Sequence, residues 1–141
     1  MTKTIAFQGV FGAYSHLACR ELYPLDGYLP CLSFNEAFTA VQNGSADLAV
    51  IPIENSNAGR VADVHFLLSE TPLHIIGEHF LRIRHQLLGL PEAKIEQITT
   101  AISHPQALAQ CASFLQQHHI HPQAQSDTAL SLSLIHISEP T

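Results

Sequence analysis

Cationic side chains are scarce in this chain. Lys3, Arg20, Arg60, Arg82, Arg84 and Lys94 are its only six, against twelve Asp and Glu. They are scattered, so no basic patch neutralises a phosphate backbone, and binding to nucleic acid is not expected. Long apolar runs are lacking too: none approaches the roughly 18 to 20 residues that cross a bilayer. Met1-Thr2-Lys3 leads straight into a strand-like run without a signal peptide, so a cytoplasmic protein is expected. The three cysteines, Cys19, Cys31 and Cys111, are odd in number and widely spaced. With no C-x-x-C pair they suggest neither a disulfide framework nor a zinc ribbon, and a reducing compartment fits them. Neither G-x-x-x-x-G-K-[ST] nor G-x-G-x-x-G occurs, which weakens a nucleotide reading. There is no internal repeat and no low-complexity linker.

What is present is the balance of a packed globular chain: 46% hydrophobic and 13% charged residues over 141 positions, enough to bury one core. The ten histidines invite a metal reading, above all His118-His119-Ile120-His121. No carboxylate or cysteine stands beside them at ligand spacing. A solvated helix end, where imidazolium suits the dipole, is the favoured reading and no metal is expected.

The order of elements points to an α/β fold. Thr4–Phe7 reads as a strand running into Gln8-Gly9, and Leu17, Ala18, Glu21 and Leu22 recur at helical spacing up to Pro24. A second strand is expected around Tyr28 to Leu32. Ser33-Phe34-Asn35-Glu36 has the form of a capping box, opening a helix that stops at Asn43-Gly44. Leu48 to Ile53 is a continuous apolar run, expected as a strand buried on both faces of a largely parallel sheet. Beyond it a short helix over Val61–Leu68, a strand over Leu73–Gly77 and an extended stretch over Phe80–Leu90 are expected. The pattern then restarts: a strand at Thr99–Ile102, a helix over Pro105–Leu115, and a further cap at Ser126-Asp127-Thr128. Two α/β lobes follow from that restart, residues 1–75 and 76–131.

Three places put polar or glycine residues where an apolar strand ends, the usual position of ligands in open α/β sheets. In Gly9-Val10-Phe11-Gly12-Ala13-Tyr14-Ser15-His16, two glycines permit a tight turn whose free N–H groups favour an anion at a helix start. A glycine turn with no ligand is the alternative. In Glu54-Asn55-Ser56 a carboxylate and an amide directly follow the apolar strand, where Glu54 needs a partner or ligand if buried. The alternative there is a plain cap for the next helix. In Ser103-His104-Pro105-Gln106, Pro105 suits the first helical position, and Gln106 and Gln110 fall on one stripe four residues apart. With Ser103 they make a donor-rich anion pocket, while His104 reads as a cap rather than a catalyst.

Taken together and in order, these runs resemble prephenate dehydratase. The likeness extends from Ile5 to about Ala129 through Ile5-Ala6-Phe7-Gln8-Gly9, Gly12-Ala13-Tyr14-Ser15-His16, Ala46–Ser56, Ile76-Gly77-Glu78-His79, Ser103–Cys111 and Asp127-Thr128-Ala129. It implies an incomplete dehydratase domain of α/β class, two-lobed like a type II periplasmic binding protein, with the site between the lobes. It also implies the conversion of prephenate to phenylpyruvate, with loss of water and carbon dioxide, in phenylalanine biosynthesis. Glu54, Asn55, Ser103 and Gln110 match positions that line the family's active site, and Gly12, Ala13, Tyr14 and Ser15 match its substrate loop. No metal or organic cofactor is implied, and the intact protein is expected to be a homo-oligomer. The chain departs from the family at Val10-Phe11, where proline is usual, and at Arg82, where proline is common.

The family's acid, a threonine in a Thr-Arg-Phe motif, has no counterpart among these residues, nor has the regulatory ACT domain with its Glu-Ser-Arg-Pro signature. Leu132 to Thr141 instead resembles an in-frame translation of a transposase adapter used in sequencing libraries, so residues 132–141 are expected to be non-native and this stretch of chain to be inactive alone. A two-lobed fold also serves non-catalytic carboxylate-binding and effector-sensing domains, which is the rival reading.

Overall fold

The computed structural model describes residues 2–56 and 59–125. The chain divides into two compact units, Met1–Ile83 and Arg84–Thr141.

In the first unit the order is β1 (Thr4–Gln8), α1 (Tyr14–Leu22), β2 (Gly27–Cys31), α2 (Phe34–Gln42) and β3 (Leu48–Ala49). The three strands form a parallel sheet in the order β2-β1-β3, with Thr4 opposite Gly27 and Ile5 opposite Leu48. β1 is therefore central, and Ile5, Ala6 and Phe7 are fully buried. Its alternation assigns the faces. Ile5 and Phe7 pack with Cys19 of α1, backed by Tyr23, Tyr28, Leu48 and Val50. Ala6 points the other way, into a cluster with Cys31, Ala37, Ala40 and Ala46. Alanines at 6, 37 and 40 keep this second face shallow, so α2 can lie close against the sheet. Burying Ile5 and Phe7 contributes about 1.5–3 kcal/mol each.

Asp47 ties β3 to β1 at both ends of one residue: its N–H donates to Thr4 O at 2.8 Å, and its Oδ2 accepts the Thr4 N–H at 2.8 Å. After β3 come an antiparallel pair of two-residue strands, β4 (Glu54–Asn55) with β5 (Gly59–Arg60), and α3 (Ala62–Glu70), which buries Val64. The second unit contains β6 (Thr100–Ser103), α4 (Pro105–Gln110), α5 (Ala112–Gln117) and β7 (His121–Ala124). β6 and β7 pair in parallel, and among the unit's described residues Leu115 and Ile120 are the buried apolar side chains.

Several expectations need correction. The apolar run Leu48–Ile53 is a strand only at Leu48–Ala49, with one further ladder bond from the Val50 N–H to Ala6 O. Its residues do alternate between the two clusters, but the strand fully buried on both faces is β1, because among the described residues β3 has β1 as its sole neighbour. Leu73–Gly77 forms no strand: no described segment pairs with it, and Ile75 and Ile76 are exposed. The helix expected over Pro105–Leu115 breaks at Cys111, whose ψ of 7° lies outside the helical range, and resumes as α5. His118 caps α5, and His119 takes a left-handed φ of 55°, turning the chain into β7, a strand the histidine-rich pattern concealed. The further cap at Ser126-Asp127-Thr128 and the tail at 132–141 lie outside the described residues.

Candidate functional site

The first candidate follows β1. Gly9 (φ 121°) and Gly12 (φ 95°) adopt left-handed backbone, and both angles are strained for any residue with a Cβ. The Gly9 N–H donates to Cys31 O at 2.9 Å and the Ala13 N–H to Val10 O at 3.2 Å, closing the turn onto β2. Ala13 is the cap of α1, and its side chain has no oxygen to offer the helix amides. A third amide of the turn is also taken: the Gly12 N–H donates to His16 Nδ1 at 3.0 Å. The His16 ring stacks on Phe7 at 5.6 Å and meets Phe11 and Tyr28 edge-on at 5.0 and 5.3 Å. Desolvation, and secondarily the Arg20 charge, hold its imidazole below the ordinary histidine range. Gly12 is exposed and Ala13, Tyr14 and Ser15 are half-buried.

The second candidate follows β3. Glu54 and Asn55 form β4, with Glu54 opposite Arg60 and Asn55 opposite Gly59. Glu54 is exposed and Asn55 half-buried. The alternative in which Glu54-Asn55-Ser56 caps the next helix is overturned, because α3 starts at Ala62, with Val61 as its cap. The intervening hairpin moves the helix start away from the polar residues.

The sheet order brings these two sites to the same edge. β1 leads through α1 to β2 on one side, and β2 leads through α2 to β3 on the other. Where successive connections depart in opposite directions, a crevice opens at the carboxyl ends of the adjacent strands. Here those strands are β1 and β3, parallel neighbours, followed by the glycine turn and by Glu54-Asn55 respectively.

In the second unit, Ser103 ends β6 and its carbonyl accepts the Gln125 N–H at 2.7 Å. His104 is the cap of α4, its Nδ1 accepting the Gln106 N–H at 3.2 Å, as expected of a capping rather than catalytic residue. Gln110 is set apart from Gln106: its Oε1 lies 2.7 Å from His85 Nε2. With Oε1 accepting, the imidazole carries its proton on Nε2 and the Gln110 amide is oriented with its N–H₂ turned elsewhere. His85 lies in a stretch without regular structure, and nothing in the sequence pattern signalled it. Gln106 is exposed, so the two amides do not play equivalent parts.

All three cysteines are free thiols, and burial raises each of them, Cys19 to about 11. They are poor nucleophiles near neutral pH. Among the described residues no group of three His, Cys, Asp or Glu side chains is placed to hold a metal ion.

These features define an α/β protein with parallel sheets, in whose first unit the Gly9–Ser15 turn and Glu54-Asn55 come after the adjacent strands β1 and β3. The family model for prephenate dehydratase matches residues 5–140. A bifunctional N-acyl-homoserine lactone acylase/prephenate dehydratase from Komagataeibacter europaeus is 43% identical over 94% of this chain and 47% of its own length. Arogenate dehydratase 2 from Petunia hybrida is 46% identical over 89% of the chain and 32% of its own length. Among solved structures, one described as a novel type of quorum quenching acylase matches with a TM-score of 0.82 and 43% identity, over 94% of this chain and 49% of that one. Prephenate dehydratase from Arthrobacter aurescens, in complex with L-Phe, matches with a TM-score of 0.78 and 26% identity, over 96% and 46%. The chain belongs to the prephenate dehydratase family. It spans between about a third and a half of the length of these relatives.

Proposed function

We propose that this chain supplies substrate-binding residues to a prephenate dehydratase, a carbon–oxygen lyase that forms phenylpyruvate in phenylalanine biosynthesis. The observation that carries the proposal is the β2-β1-β3 order, which sets the Gly12–Ser15 turn and Glu54-Asn55 beyond the carboxyl ends of adjacent parallel strands. Prephenate has two carboxylates and a ring hydroxyl. In the first unit the start of α1 at Tyr14 and Ser15, after the Gly12-Ala13 turn, and the side chain of Asn55, and in the second unit the side chains of Ser103 and Gln110, are neutral donors of the kind a carboxylate takes. An acid protonates the leaving hydroxyl, which departs as water. The electrons of the broken carbon–carboxylate bond complete the aromatic ring, and that carboxylate leaves as carbon dioxide. The residues present require no metal or organic cofactor for these roles.

The free, unreactive cysteines suit a reducing compartment, and we place the protein in the cytoplasm as a homo-oligomer that does not bind nucleic acid. Among the described residues no helix is long and apolar enough to cross a membrane. The test is steady-state turnover of prephenate, and of arogenate beside it, by the full-length protein containing this chain. A lost hydrogen bond to a charged group is worth about 1.5–3 kcal/mol, so Glu54→Ala and Asn55→Ala are each expected to lower kcat/KM by about 10- to 150-fold. Because Glu54 is exposed, its substitution should move stability by no more than about 0.5 kcal/mol. Wild-type kinetics in both variants would overturn the assignment, and tight prephenate binding without turnover would establish the rival reading, a carboxylate-binding domain. A second activity is suggested by the bifunctional relative, 43% identical over nearly the whole chain. Hydrolysis of an N-acyl-homoserine lactone by the same preparation tests it.

A further inference from the structure

The glycine turn is held by one side chain, and that side chain can exist in two charge states. His16 is the third residue of α1, and its ring is clamped by Phe7 of β1, Phe11 of the turn and Tyr28 of β2. Three contacts from three segments leave the imidazole one orientation, which aims Nδ1 at the Gly12 N–H, 3.0 Å away. A ring nitrogen that accepts a hydrogen bond carries no proton, so the tautomer is fixed with the proton on Nε2. Gly12 needs this bond. At φ 95° its amide belongs to no ladder or helix, and α1 offers neither an acidic residue in its first turn nor a side-chain cap.

We propose that His16 is the positioning residue of the Gly9–Ala13 turn: as a neutral imidazole it holds the turn closed through Gly12, and on protonation it releases it. Protonation turns the Nδ1 acceptor into a donor facing another donor. The charged or titratable groups that face the ring are Arg20, one turn along α1, and the Tyr28 phenol on β2, which donates to Tyr23 O at 2.6 Å; Phe7 and Phe11 bring none. Among the described residues the charge that acts on the ring is the Arg20 cation, which disfavours imidazolium, as does the positive end of α1. The sign follows. The imidazole titrates below its ordinary 6.5 in the folded protein, so the latch is complete above pH 6.5 and is lost as pH falls through the lower, folded value.

The test is NMR on the complete chain labelled with 15N at histidine and glycine. At pH 8 the His16 Nδ1 is expected to show the shift of an unprotonated nitrogen, and the Gly12 amide to be protected from exchange at least about tenfold relative to an unstructured peptide. That protection should fall along the His16 titration, with a midpoint below 6.5, while the β1 amides stay protected. His16→Asn places an uncharged oxygen near the Nδ1 position and should keep the protection at every pH; His16→Phe keeps the ring packing and should lose it at every pH. A proton on Nδ1, protection that ignores the His16 titration, or a protected Gly12 amide in the Phe variant would each overturn the proposal. If the Phe variant fails to fold, the wild-type titration and the Asn variant still decide. One further arm rests on the dehydratase reading. In the full-length enzyme His16→Phe should raise KM for prephenate more than it lowers kcat, with His16→Asn restoring it. An unchanged KM overturns the positioning role, whereas a wild type without turnover overturns only the dehydratase reading.

Discussion

Gln110 and Gln106 are alike in sequence position and unlike in surroundings, and a single hydrogen bond makes the difference. His85 Nε2 orients the Gln110 amide at 2.7 Å, whereas Gln106 is exposed. Removing the imidazole leaves the Gln110 side chain without this restraint, so His85→Leu in the full-length enzyme should raise KM for prephenate by about three- to tenfold, the worth of about one hydrogen bond. A KM equal to that of the wild type would show that Gln110 is oriented by its other interactions. The residues most legible in the sequence were those whose chemistry is local: His104 reads as a cap and is one, because the cap bond reaches only to Gln106. His85 was not legible, because its partner lies 25 residues away.

At the scale of elements, α2 shows what a local signal can and cannot specify. Ser33 Oγ accepts the Glu36 N–H at 3.1 Å, as the S-x-x-E pattern predicts. The returning arm is shifted by one residue: Glu36 Oε2 accepts from the Leu32 N–H at 2.8 Å. The carboxylate thereby secures the first residue after β2 as well as the helix start. Ser33→Ala is expected to cost about 1 kcal/mol, read as a lower thermal midpoint of a few degrees. An unaltered midpoint would mean that water or Glu36 replaces the lost acceptor. Strand boundaries were less legible, since hydrophobicity says that a segment is buried but not what it pairs with. Leu48–Ile53 is the more apolar run, yet β1, with Ile5, Ala6 and Phe7 buried in succession, holds the centre of the sheet.

For the whole molecule, the 141 residues contain Glu54, Asn55, Ser103 and Gln110 but no Thr-Arg-Phe. If the acid belongs to that motif, as the family resemblance implies, this polypeptide alone should show no detectable phenylpyruvate formation, since general acid catalysis typically supplies a factor of about a hundred to ten thousand. Turnover comparable with the full-length protein would place the acid within these residues. The adapter-like tail offers a second measurement on the same polypeptide: deleting residues 132–141 should leave its thermal midpoint unchanged, and a clear drop would show that the tail packs.

From its sequence alone this chain could be read as α/β, with turn glycines, cap residues and the strand-terminal polar groups Glu54 and Asn55 at their places along the chain. These depend on backbone sterics and on hydrogen bonds spanning a few residues, which a linear pattern records. Only the tertiary structure decided that β1 lies between β2 and β3, that the Gly12 turn and Glu54 therefore share a sheet edge, and that His16 and His85 take Gly12 and Gln110 as partners. The order of strands follows from how both faces of β1 are covered at once, a packing condition over the whole sheet that no local stretch of residues contains.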